Sequence, residues 1–174
     1  VVERAADSVS IPQIVVDDST IALGRLAKAH LVDLRSSGPI RVAGVTGSAG
    51  KTTVKDLLAR ILAKSGQTVA PIASFNNEVG CPLTILKADN DTRFMVLEMG
   101  ASGPGHIRYL TEIAPLDAAI ELMVGRAHLG GYASFDSLVE TKRELVEGLL
   151  PGGVGVLNAD DPAVAGMASA VPGE

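Results

Sequence analysis

Residues 40–53 constrain this chain more than any other stretch. Ile40 to Val45 reads as a buried strand that runs into Thr46-Gly47-Ser48-Ala49-Gly50-Lys51-Thr52-Thr53, and a helix follows at once. In that helix Val54, Leu57, Leu58, Ile61 and Leu62 recur at helical spacing. Glycines let a backbone turn its N–H groups inward around phosphate oxygens, and a helix N-terminus adds a dipole that favours an anion. Lys51 is then placed to reach terminal phosphates and the Thr52 hydroxyl to bind Mg²⁺. Gly47, Ser48, Ala49, Gly50, Lys51, Thr52 and Thr53 are the candidate nucleotide-binding residues. The loop departs once from the full G-x-x-x-x-G-K-[ST] pattern, because Val45 occupies the first glycine position. A glycine-rich turn with an exposed lysine is the alternative; strand, loop and amphipathic helix in this order weigh against it.

The rest of the chain alternates. Thr68 to Ala73, Phe94 to Glu98, Asp117 to Val124 and Val154 to Leu157 read as further strands. Helices are expected from near Pro82, from Pro104 with Ile107, Leu110 and Ala114 on one face, and from about Ser134 to Leu150, where Pro151-Gly152-Gly153 stops the last. Upstream, Ile14-Val15-Val16 is strand-like, and Ser19 or Thr20 caps a helix bearing Leu23, Leu26, Ala27, Leu31 and Leu34 that breaks at Ser36-Ser37-Gly38-Pro39. Alternation of this kind implies an α/β fold with a mostly parallel sheet and right-handed crossovers. Ligands of such sheets gather at the carboxyl ends of the strands, where every motif here falls.

Composition narrows the class. With 47% hydrophobic residues in 174, the chain is no disordered tail and is long enough for one domain and part of another. Twenty acidic against 15 basic residues, with 3% aromatics, argue against nucleic acid as the main partner. A lone cysteine, Cys81, excludes a disulfide framework and a cysteine-ligated zinc site. No apolar run reaches the ~18 residues of a membrane-spanning helix. The opening Val1-Val2-Glu3-Arg4, without Met, marks the chain as an expected fragment.

Four further positions carry chemistry. Phe94-Met95-Val96-Leu97 ends in Glu98, an acid at a strand tip that suits Mg²⁺ beside a phosphate loop. Lys142 lies inside the stripe of Leu138, Leu145 and Leu149. Desolvation lowers a lysine's pKa, and a neutral amine takes up CO₂ as a carbamate, an anionic metal ligand. Position alone favours instead a lysine that snorkels its ammonium to water. His128 follows a strand tip in Gly125-Arg126-Ala127-His128-Leu129, where solvated and ligating roles weigh equally. Asn76-Asn77-Glu78-Val79-Gly80 either shapes a turn, which the residues alone favour, or offers amides to a substrate.

Taken in order, Thr46 to Thr53, Asn76-Asn77-Glu78-Val79-Gly80-Cys81-Pro82-Leu83-Thr84, Glu98-Met99-Gly100-Ala101, Ala127-His128-Leu129 and Lys142 resemble the Mur ligase family. The Asn-Asn-Glu and Glu-Met-Gly-Ala segments resemble its branch that joins D-alanyl-D-alanine to UDP-N-acetylmuramoyl tripeptide. The resemblance implies a P-loop NTPase-like central domain over 40–174, in part, preceded in 1–39 by the end of an N-terminal UDP-substrate domain and a linker helix, with the C-terminal domain absent. It implies a cytoplasmic, ADP-forming reaction: ATP phosphorylates the tripeptide carboxylate, the dipeptide amine attacks the acyl phosphate, and phosphate leaves. Lys51 would then neutralise phosphates, Thr52 and Glu98 would hold Mg²⁺, His128 and carbamylated Lys142 would hold a second Mg²⁺, and Asn76 and Asn77 would face the muramoyl substrate. Lys51, Lys142 and His128 are the implied catalytic residues. Leu122-Met123, Gly130 and Ser102 replace residues usual in the family. A folylpolyglutamate-type ligase and a non-catalytic nucleotide-binding module are the competing readings.

Overall fold

The computed structural model describes residues 1–125 and 132–172. Five strands form one parallel sheet: β1 (Arg41–Thr46), β2 (Gln67–Val69), β3 (Thr92–Glu98), β4 (Leu116–Glu121) and β5 (Leu149–Leu157), in the order β2-β3-β1-β4-β5. Helices α1 (Ser19–Ser37), α2 (Lys51–Leu62), α3 (Gly80–Ile85), α4 (His106–Ile113), α5 (Phe135–Glu147) and α6 (Pro162–Ala165) connect and flank the strands. Residues 42–46 of β1 are all buried, as a central strand covered on both faces requires. β1 is also where the connections diverge, with β3 and β2 on one side and β4 and β5 on the other. The carboxyl end of β1 is therefore the topological switch point, the crevice in which such sheets bind ligands.

The core is aliphatic. Val42, Met95, Leu97, Leu116 and Leu145 are buried at the sheet, and Ile107, Leu110 and Ile113 bring α4 into the same core alongside α5 and α1. Two glycines permit close packing here: a Cβ on Gly44 would lie 2.6 Å from Leu116, and one on Gly148 would collide with Thr111.

Several boundaries differ from expectation for physical reasons. The cap of α1 is Asp18, whose Oδ1 accepts from the Ile21 amide at 2.8 Å, so Ser19 and Thr20 lie inside the helix. Ile14-Val15-Val16 makes a single bridge, between Val2 and Val15. β2 stops at Val69, before Pro71, which has no N–H to donate, and Ala73, which adopts φ +54°. α5 ends at Gly148, not at Pro151-Gly152-Gly153, so β5 starts five residues earlier than expected. The apolar stripe of α2 is only partly covered: Leu57 and Ile61 are exposed, while Lys55 is the buried residue.

Candidate nucleotide and metal site

The loop from Thr46 to Gly50 joins β1 to α2 as the sequence requires. Gly50 takes φ +84°, a left-handed conformation that turns the chain into the helix. Lys51 folds back, its Nζ donating to Gly47 O at 2.9 Å. The loop is braced from β4, since the Ser48 amide donates to Met123 O at 2.8 Å and Ser48 Oγ accepts from the Gly125 amide at 2.9 Å. Met123 thus presents its backbone to the loop, a use indifferent to its side chain.

Below the loop, α2 and β3 bring two side-chain oxygen groups together. Thr52 Oγ1 donates to Glu98 Oε2 at 2.9 Å, and Asn76 Nδ2 donates to Glu98 Oε1 at 2.8 Å. Ser74 Oγ stands 3.3 Å from Thr52 Oγ1. Glu98 is 1% exposed, yet both its oxygens are partnered. The set fits a hard divalent cation: bonds of about 2.1 Å to Mg²⁺ place adjacent octahedral oxygens about 3 Å apart, the spacing of Thr52 and Glu98. Gly100 makes room for this arrangement, because a Cβ there would lie 2.8 Å from Asn76 Oδ1. Asn77 turns elsewhere, its Oδ1 accepting from the Gly80 amide at 2.9 Å at the start of α3, the turn role that the residues alone favour.

Lys142 arrives from α5. It is 5% exposed, and its Nζ donates to Thr46 Oγ1 at 3.4 Å, so it does not snorkel. Burial lowers its pKa, opposed by the charge of Glu121 and assisted by that of Lys51. Glu121, at the tip of β4, is 1% exposed, and among the described residues neither carboxylate oxygen has a hydrogen-bond partner. Burial pushes its pKa up to about 8 against the pull of Lys142.

The structure thus gathers Lys51, Thr52, Glu98 and Asn76 on one flank of the loop and sets Lys142 at Thr46 on the other. His128 lies outside the described residues. Among the described residues no three His, Cys, Asp or Glu side chains form a metal shell by themselves. Sequence reasoning missed Glu121, although Ala118-Ala119-Ile120-Glu121 carries the same signal as the run into Glu98. Asp161 Oδ1 caps α6 through the Ala163 amide at 3.0 Å, and its Oδ2 accepts from the Val124 amide at 2.8 Å beyond the end of β4. Glu144 was missed too; it is 5% exposed and accepts from the amides of Gly105 at 2.7 Å and Arg108 at 2.9 Å, capping α4.

A polar cavity of about 370 Å³ opens beside Lys51, walled by Asn76, Asn77, Glu78, Ser102 and His106. Ser102 Oγ and His106 Nδ1 are 2.7 Å apart. No helix among the described residues is long and apolar enough to cross a membrane.

Known proteins share this architecture. Residues 45–173 match the Mur ligase middle domain. The chain is 48% identical over 149 residues to the UDP-N-acetylmuramoyl-tripeptide–D-alanyl-D-alanine ligase of Mycobacterium leprae, a match covering 86% of this chain and 29% of that protein. MurF from Acinetobacter baumannii superposes with a TM-score of 0.88 at 33% identity, over 98% of this chain and 37% of its own. MurF ligase from Thermotoga maritima in complex with ADP superposes with a TM-score of 0.87 at 33% identity, over 99% of this chain and 39% of its own. The chain therefore spans well under half the length of these relatives. By the match across most of its length, the chain belongs to the Mur ligase family and carries that family's middle domain.

Proposed function

We propose that this chain is the nucleotide-handling part of an ADP-forming ligase that joins D-alanyl-D-alanine to UDP-N-acetylmuramoyl tripeptide in peptidoglycan precursor synthesis, in the cytoplasm. The observation that carries the reading is the hydrogen bond from Thr52 to Glu98 at the foot of the phosphate loop, closed on its other side by Asn76. The identity to the Mycobacterium leprae ligase and the likeness to an ADP-bound MurF support it. In this reading residues 1–39 end an N-terminal substrate domain and 40–174 are part of the central domain.

Residues 47–53 cradle the phosphates of ATP, and Lys51 exchanges Gly47 O for a phosphate oxygen. Thr52 and Glu98 would hold Mg²⁺, and Lys142, once its neutral amine had taken up CO₂ as a carbamate, would join His128 in holding a second. When bound, Mg²⁺ offsets the charge that develops on the transferring phosphoryl oxygens. Asn76 fixes the rotamer of Glu98, so little reorganisation remains when charge develops. The cavity walled by Asn76, Asn77 and His106 opens directly beside Lys51 and receives the acceptor carboxylate.

ADP release by the full-length protein tests the reading. Strict dependence on both UDP-muramoyl tripeptide and D-alanyl-D-alanine is expected. Turnover with a folate acceptor, or nucleotide binding without turnover, overturns it. These 174 residues alone are expected to bind ADP and form no amide.

A further inference from the structure

α2 buries a lysine where its apolar residues were expected. Lys55 is 1% exposed, and its ammonium has three acceptors for three protons: Pro71 O at 2.8 Å, Ala73 O at 3.4 Å and Asp56 Oδ1 at 2.6 Å. Two of these acceptors are carbonyls of the segment that leaves the sheet after Val69, where ladder partners have run out. Between them the chain bends through Ala73 at φ +54°, a conformation that a non-glycine residue holds only under constraint from its surroundings. One residue further, Ser74 stands beside Thr52, and three residues further Asn76 donates to Glu98. Thr52 and Lys55 are three apart on α2 and so share a face of the helix. One face of one helix therefore supplies a hydroxyl to Glu98 and a post for the segment that supplies the other donor.

Resting on the reading of Thr52 and Glu98 as cation ligands, we propose that Lys55 is a positioning residue for that cation site: it holds residues 71–73 against α2 so that Ser74 and Asn76 meet Thr52 and Glu98. A purely structural lysine would affect nucleotide and metal binding together. A positioning lysine affects the metal, because the loop amides and Lys51 that meet the phosphates come from the other end of the site.

The test uses the full-length protein with Lys55→Met and Lys55→Gln, both unbranched like lysine. Mn²⁺ binding in the presence of ADP is followed by electron paramagnetic resonance, and ADP binding in EDTA by calorimetry. At least a tenfold loss of Mn²⁺ affinity is expected, the scale seen for groups that orient metal ligands, with ADP affinity in EDTA within about twofold of wild type. Urea midpoints identify which variant folds; should the Met variant not, the Gln variant decides. Mn²⁺ affinity within twofold of wild type in a folded variant overturns the inference alone, as does an equal loss of both affinities. Failure of the wild-type chain to bind Mn²⁺ with ADP overturns the functional reading as well.

Discussion

The carboxyl end of β1 has a buried glutamate on either flank, and the two are wired differently. Glu98 is level with Val45 and Glu121 with Thr46, so the pleat sends them to opposite faces of the sheet. Glu98 accepts from Thr52 and Asn76, one donor for each oxygen. Among the described residues Glu121 accepts no hydrogen bond, and Lys142, its charged neighbour, is tied to Thr46 at 3.4 Å. A buried carboxylate with its donors in place fixes a geometry at modest cost. One without donors carries a penalty of roughly 1–3 kcal/mol or more and persists because the surrounding fold leaves it no alternative. The Glu98 flank is preorganised, whereas the Glu121 flank stores unspent interaction capacity beside an amine of lowered pKa.

The strongest way to break this contrast is to remove each carboxylate in turn. Glu98→Ala should weaken Mn²⁺ binding in the presence of ADP about 100-fold, as expected for loss of a charged ligand with two hydrogen bonds, while Glu121→Gln should change it less than about threefold. Equal losses, read by paramagnetic resonance, would make the flanks equivalent.

Next comes a pH dependence unique to the Glu121 side. Its folded pKa of about 8 lies above the ordinary 4.5, so the native state binds the extra proton in between, and stability falls as pH rises through that window. Glu121→Gln removes this slope and should gain roughly 4 kcal/mol on wild type between pH 5 and pH 8.5 in urea unfolding. Parallel pH profiles for the two proteins would deny the carboxyl its raised pKa.

Smaller effects sharpen the Glu98 side. Asn76→Ala leaves Glu98 Oε1 without its donor and should cost about tenfold in Mn²⁺ affinity by the same assay. Ser74→Ala, at an exposed position with a 3.3 Å contact, should stay within about twofold.

The sequence carried the phosphate loop plainly, because strand, glycines, lysine and helix cap sit in one contiguous stretch. Glu98 was legible as a polar stop to an apolar strand, and Glu121 had the same signature without a loop motif to draw notice to it. Lys142 showed its address through Leu138 and Leu145, but whether its amine reached water depended on β1, 96 residues earlier. Lys55 left no trace: it lies beside a stretch that reads as the apolar stripe, and its burial depends on carbonyls freed where Pro71 interrupts a strand. Asn77 illustrates the reverse, since its side chain makes the turn that local propensity favours while the residue also walls the polar cavity.

Glu144 links these observations mechanically. Its carboxylate grips the first amides of α4 from a position two residues beyond Lys142 on α5. Ser102 and His106, which wall the polar cavity, lie at that same gripped end. The amine and the clamp project from one helix, so a single backbone ties the residue that meets β1 at Thr46 to the residue that caps α4 beside the polar cavity.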